Sequence, residues 1–341
     1  MSAKIALNPA LQPFVEIAGM TETYNRGLHR FAVFTACWTL FLLVAGALVT
    51  SNDAGLAVPD WPLSYGSLTP PMVGGIFYEH GHRLVATVAG ILTIILAVWI
   101  SRREPRAWMR KLGWTALAAV IAQGILGGIT VKFFLPPWVS VAHAALAQSF
   151  FCILVALALF TSKWWQSDLP ALRYTMPSSG ALALRSLVGE RAIKAAIVIF
   201  IQLLLGAAYR HHAFGILPHL IGAVVVPFVV LPVAISARDS RYLGVPALGR
   251  CGAILKHVLY LQLVLGGGAL WSRLTTLHAP QPMPVMVFFT VAHTAVGALT
   301  LAAAVLLVLV SHRVLGTVQP EEVVAASRDA GPIAAQQGGA A

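Results

Sequence analysis

The chain has 341 residues, of which 58% are hydrophobic and only 10% charged, and its formal net charge is +11. Soluble domains carry about a quarter charged residues, so a chain this long and this poor in charge cannot clothe itself in water, and a soluble globular fold is excluded. The positive excess suits a membrane protein, whose cytoplasmic loops collect Lys and Arg, and does not call for nucleic acid as a partner.

Residues 1–30 read as a cytoplasmic N-terminal segment. Met1 to Asn25 contains Glu16 and Glu22 and lacks the apolar run before a small-residue site that marks a secretory signal. A helix needs about 20 apolar residues to cross hydrocarbon. By that measure spans fall at 31–50, 84–101, 112–131 and 139–161, and then at 192–209, 216–236, 254–271 and 285–311. Residues 162–191 form a long cytoplasmic linker between the two sets, and 314–341, rich in Ala, Gly and Gln, reads as a disordered cytoplasmic tail. Cys37 and Cys152 fall inside spans and Cys251 follows a cytoplasmic loop, so no structural disulfide is expected.

The loops alternate in charge. Arg102, Arg103, Arg106, Arg110 and Lys111 crowd the second loop, whereas the opposite side keeps only Arg83, Lys132, Arg210 and Arg273 of the 23 basic residues. This alternation places both termini in the cytoplasm of a bacterial-type inner membrane. The expected fold is therefore all-α and integral to the bilayer, with eight transmembrane helices as two pseudo-symmetric four-helix halves, 31–161 and 192–313.

A repeat supports the two halves. The third span contains Gln123-Gly-Ile-Leu-Gly-Gly128, the fifth Gln202-Leu-Leu-Leu-Gly-Ala207 and the seventh Gln262-Leu-Val-Leu-Gly-Gly267. A weaker cousin in the first span is Leu42-Leu-Val-Ala-Gly-Ala47. Small residues of this kind let helix backbones approach closely in lipid. Each even span carries a histidine at or inside its outer end: His82, His143, His219 and His293.

Ionisable side chains within a span are costly and usually functional. One such histidine is equally well read as a hydrogen bond to a neighbouring helix; four at matching positions are harder to explain that way. Each is followed four residues on by Ala86, Ala147, Ala223 or Gly297, one turn along the same face. A zinc or copper site would gather all four histidines and add carboxylates or thiolates. Two bis-histidine pairs, one per half, suit heme iron better. His80, His211, His212 and His278 fall in or beside outer loops, and His29, His257 and His312 near cytoplasmic ends, where an interfacial role is expected.

Ahead of the second span stands Glu79-His80-Gly81-His82-Arg83. On a helix, Glu79 and His82 share a face, which places a carboxylate beside whatever His82 ligates. An interfacial, solvated Glu79 is the competing reading. Arg83 suits either a heme propionate or the lipid headgroups. The preceding loop, Asp53 to Gly66, is apolar and aromatic and is consistent with a loop lying in the interface.

The run Gly55-Leu-Ala-Val-Pro-Asp-Trp-Pro-Leu63 followed by Glu-x-x-His-Arg at Glu79 to Arg83 resembles the heme A synthase family, as does the duplicated four-plus-four plan with one histidine per even helix. The resemblance extends from about Arg30 to Arg313. It implies oxidation of a ring methyl of heme O to a formyl group, giving heme A for terminal oxidases. It also implies a substrate heme in the N-terminal half at His82 and His143, with Glu79 as the catalytic carboxylate, and a heme b in the C-terminal half on His219 and His293. A heme O-forming enzyme and an electron carrier are the expected partners. Many relatives carry two cysteines in the first outer loop; the matching positions here are Val58 and Ser64, so the chain resembles a branch without that pair. The competing readings are a b-type cytochrome that carries electrons between two bis-His hemes, and a transporter whose histidines relay protons.

Overall fold

The computed structural model describes residues 24–167, 185–240 and 246–315. Most of the N-terminal segment 1–30 and of the linker 162–191, and nearly all of the tail 314–341, lie outside the described residues. Eight long helices follow one another: α1 (Arg26–Ser51), α2 (Gly74–Arg103), α3 (Ala107–Lys132), α4 (Pro137–Phe160), α5 (Arg191–Arg210), α6 (Leu217–Asp239), α7 (Pro246–Thr275) and α8 (Pro284–Leu315). All eight are long and apolar enough to cross a membrane, as the sequence predicts. This is a multi-pass, all-α membrane protein.

The ends follow local chemistry. Asn25 caps α1 by accepting the Leu28 N–H at 3.0 Å. Proline opens α4 and stands in the first turn of α6, where a missing N–H costs nothing. Pro227 and Pro232 lie inside α6, as lipid-embedded helices tolerate when neighbours re-satisfy the backbone. The largest departure from hydropathy is at α2, which starts at Gly74 rather than at residue 84. Tyr78, Glu79, His80, His82 and Arg83 dilute the apolar signal there, yet all of them are helical.

Packing divides the helices into two closed rings of four. In the first, α1 meets α2, α2 meets α3, α3 meets α4, and α4 returns to α1. The second repeats this with α5, α6, α7 and α8. Each ring has its own apolar core, around Leu96, Met109, Phe150 and Leu154 in the first and Val230, Leu248, Leu255 and Leu307 in the second. The rings join where α8 packs on α1 and α4, and α4 on α5. Phe151, Ala298 and Ala302 are buried at this seam, with Leu40, Leu43 and Val155 against them. The alanines let α8 come close, and α8 is the most enclosed span, 61% buried against 17–39% for the others.

Candidate heme sites

Antiparallel neighbours bring the N-terminal parts of α2, α4, α6 and α8 to one end of the molecule, and these parts carry His82, His143, His219 and His293. Within each ring the two histidines stand on diagonally opposite helices. A glycine on the preceding helix meets each imidazole. A Cβ at Gly46 would lie 3.2 Å from His82 Cε1, at Gly127 3.3 Å from His143 Cε1, at Gly206 3.0 Å from His219 Cε1, and at Gly266 2.8 Å from His293 Cε1. The small-residue repeat of the odd helices is thus the floor on which the histidine rings lie.

The glutamine four residues before each glycine holds the same histidine. Gln123 Nε2 donates to the His143 carbonyl at 3.0 Å, and Gln202 Nε2 to the His219 carbonyl at 2.9 Å. Gln262 Nε2 stands 3.3 Å from His293 Nε2, while His293 Nδ1 is 3.1 Å from the Gln262 carbonyl. The sequence quotes these glutamines in its repeat but gives them no role; a polar residue recurring four places before the glycine was the available signal. In α1 the position is Leu42.

The residues fit heme. His219 and His293 face one another with ring centres 6.1 Å apart and planes at 88°. Two imidazoles each about 2 Å from a shared metal ion place their ring centres roughly 6 Å apart. His82 and His143 are near enough to interact electrostatically, and their Nδ1 atoms are buried without a hydrogen-bond partner. Among the described residues no three His, Cys, Asp or Glu side chains converge as a metal-binding group. Four-helix cores hold cofactors between facing side chains in this way.

The outer loop between α1 and α2 is folded onto the first ring. Glu79 is only 4% exposed; Oε1 accepts from Arg83 Nη2 at 2.6 Å and Oε2 from the Val58 N–H at 2.8 Å. Arg83 Nη1 donates to the carbonyls of Asp60 and Leu63, each at 2.7 Å, and Nη2 to that of Val58 at 3.3 Å. Arg83 therefore ties the loop to α2. His80 is not in the loop but buried in α2, 2.8 Å from Ser64 Oγ through Nδ1. Val58 and Ser64 both contact this cluster.

Trp61 lies on the α3 backbone at Gly128, where a Cβ would come within 2.9 Å of its ring. The adjoining glycines of α3 thus serve two partners, Gly127 the imidazole of His143 and Gly128 the loop tryptophan. Asp60 organises the loop tip by accepting from the N–H groups of Gly66 and Tyr65, at 2.8 and 2.7 Å. The Gly66 bond foremost, with help from Tyr65 and Arg83, holds its carboxyl below the usual aspartate value. His211, at the end of α5, is pushed down to about 4 by burial and then by Arg210, His143 and His212. Cys37, Cys152 and Cys251 are all free.

Residues 73–217 match the family model described as cytochrome oxidase assembly protein, COX15-CtaA. A heme A synthase of Shouchella clausii is 34% identical over 138 residues, 39% of this chain and 45% of the relative. Another, of Symbiobacterium thermophilum, is 31% identical over 190 residues, 54% of this chain and 60% of the relative. The chain resembles the heme A synthase family. The chain spans about half the length of the curated relatives it matches. Glu79, His82, His143 and the Gly127–Gly128 pair fall within the family match, whereas Gly55–Leu63 precedes it and His219 and His293 follow it. The second site therefore stands on this molecule's own geometry and on its repetition of the first.

Proposed function

We propose that this protein oxidises a ring methyl of heme O to a formyl group, producing heme A for terminal oxidases. The observation that carries the reading is the pair of glycine-backed histidines on diagonally opposite helices of each four-helix ring, with a buried carboxylate one helical turn from one of them. His82 and His143 hold the substrate heme in the 31–161 half. His219 and His293 hold a heme b in the 192–313 half; His293 would ligate through Nε2, giving up its contact with Gln262 Nε2, while Nδ1 keeps the Gln262 carbonyl. When bound, heme b supplies reversible one-electron chemistry.

Glu79 is the catalytic carboxylate. Converting a methyl to a formyl group replaces two hydrogens with one oxygen: with water as the oxygen donor, the electrons pass through the ring to the electron carrier, the protons leave to solvent, and positive charge develops at the methyl carbon. A fixed carboxylate in a water-poor site stabilises such charge far more than water does. Arg83 and the Val58 N–H fix both of its oxygens, so it needs no reorganisation as charge appears. The folded loop, with Trp61 over α3, covers Glu79 at that end. Both termini lie in the cytoplasm and both heme sites toward the outer face of a bacterial inner membrane, in keeping with the loop charges. A heme O-forming enzyme and an electron carrier are the partners such chemistry needs.

The test is expression of the full chain beside a heme O supply, purification in detergent, and analysis of extracted hemes. A Soret band with heme A among the extracted hemes is the expected result. Preparations that stay colourless under heme-replete growth, or that hold heme b and never form heme A, overturn the reading.

A further inference from the structure

The two rings differ in where they place cations. In the second ring, Arg210 follows Gly206 by four residues and Arg273 follows Gly266 by seven. Both spacings return to the same helix face, so each arginine stands on the face that meets His219 or His293. They lie about 6 Å and about 10 Å further toward the outer end. The two are close enough to repel one another electrostatically. Neither forms an ion pair among the described residues, whose salt bridges use Arg83, Arg106 and Arg238. Part-buried Arg210 donates to Ser51 Oγ at 2.5 Å, with Asp53 within electrostatic range, and Arg273 lies over the Tyr209 ring at 5.4 Å. A guanidinium has five N–H donors, so both retain capacity for carboxylate oxygens.

Two arginines within electrostatic range of one another, Arg210 part-buried with Asp53 nearby and Arg273 exposed, form a positive patch beside a pair of imidazoles, and such a patch suits an anion with two carboxylates. Heme carries its two propionates on one edge. In the first ring the equivalent places, four after Gly46 and seven after Gly127, are Thr50 and Phe134. Arg83, the basic residue on α2 of that ring, is committed to Glu79 and loop carbonyls.

We propose that Arg210 and Arg273 receive the propionates of the heme in the C-terminal half. The N-terminal half, without such a clamp, leaves its heme free to be exchanged. The inference rests on the heme-binding reading of the C-terminal half, and it gives a physical reason why one heme stays while the other turns over.

The experiment compares hemin with hemin dimethyl ester, whose carboxylates are blocked. Both are titrated into the full chain carrying His82→Ala and His143→Ala, so that ligation rests on His219 and His293. The expected result is hemin binding at least roughly tenfold tighter than the ester. Adding Arg210→Met and Arg273→Met brings hemin down to the affinity of the ester, with the ester unchanged, while Arg210→Lys and Arg273→Lys keep part of the preference. Equal binding of acid and ester before the arginines are changed, a preference that survives the Met variants, or an equal loss of both ligands would overturn the proposal and leave the heme reading intact. Failure of the starting double variant to take up hemin at all overturns the heme reading itself.

Discussion

Glu79 and Glu104 show how a buried carboxylate is paired in this molecule, and for what. Glu79 serves Arg83 and the loop backbone, on the face of α2 that also presents His82. Replacing it with Gln leaves one acceptor oxygen for two donors, a local cost of about 1–3 kcal/mol. The expected outcome for Glu79→Gln is a protein that retains its hemes and makes no heme A, checked by extracting hemes from cells supplied with heme O. Glu104 does structural duty at the other end of α2, binding Arg106 Nε at 2.7 Å and Nη2 at 2.8 Å. Arg106 in turn reaches the Phe160 carbonyl at the end of α4. Burial pushes the Glu104 carboxyl up, but Arg106 outweighs it and the group sits below the ordinary value of 4.5. Its stabilisation is thus full above pH 4.5 and lost as pH falls through the lower folded value. Thermal unfolding in detergent should show wild type losing stability in that acid window, and Glu104→Gln starting less stable and losing less there.

At the scale of the helix, the Gln-x-x-x-Gly repeat couples α3, α5 and α7 each to the next even helix. In an ordinary lipid-facing turn, Gly to Ala would favour the helix by about 1 kcal/mol. At Gly266 the added methyl meets His293 Cε1 at 2.8 Å, so the ring must leave its place. Gly266→Ala should therefore keep its helicity by circular dichroism yet lose bound heme severalfold, measured as pyridine hemochrome per polypeptide. Gly124 has open space where a Cβ would go and is the matching control: Gly124→Ala should leave heme content unchanged.

For the whole molecule, two rings built on one plan share a seam through α8 while each keeps its own core and its own histidine pair. Separate cores make the sites separable in experiment. His219→Ala should lose mainly heme b and keep the substrate heme, as read from the hemes extracted after purification. Loss of only the substrate heme would reverse the assignment of the halves. The seam also carries polar contact between the rings, since Ser51 of α1 meets both Arg210 of α5 and Thr290 of α8, at 2.5 and 3.1 Å.

Sequence by itself determined the eight spans, the duplicated plan and the four histidines, because bilayer thickness sets span length and a costly imidazole in lipid stands out against apolar neighbours. It did not reveal that α2 begins at Gly74, since hydropathy falls where Glu79, His80 and Arg83 find partners inside the protein. Nor did it reveal that Arg83 grips the loop, that His80 meets Ser64, or that Gln123 and Gln202 bond the histidine carbonyls. Those are pairings between residues 16 to 25 positions apart, and only the packing of one helix or loop against another selects them. Contact of Ser51 with Arg210 spans 159 positions and depends on how the two rings meet. Hydrophobic length is a local property of the chain, whereas the partner of a buried polar atom is fixed by whichever neighbour the tertiary fold brings within hydrogen-bond reach.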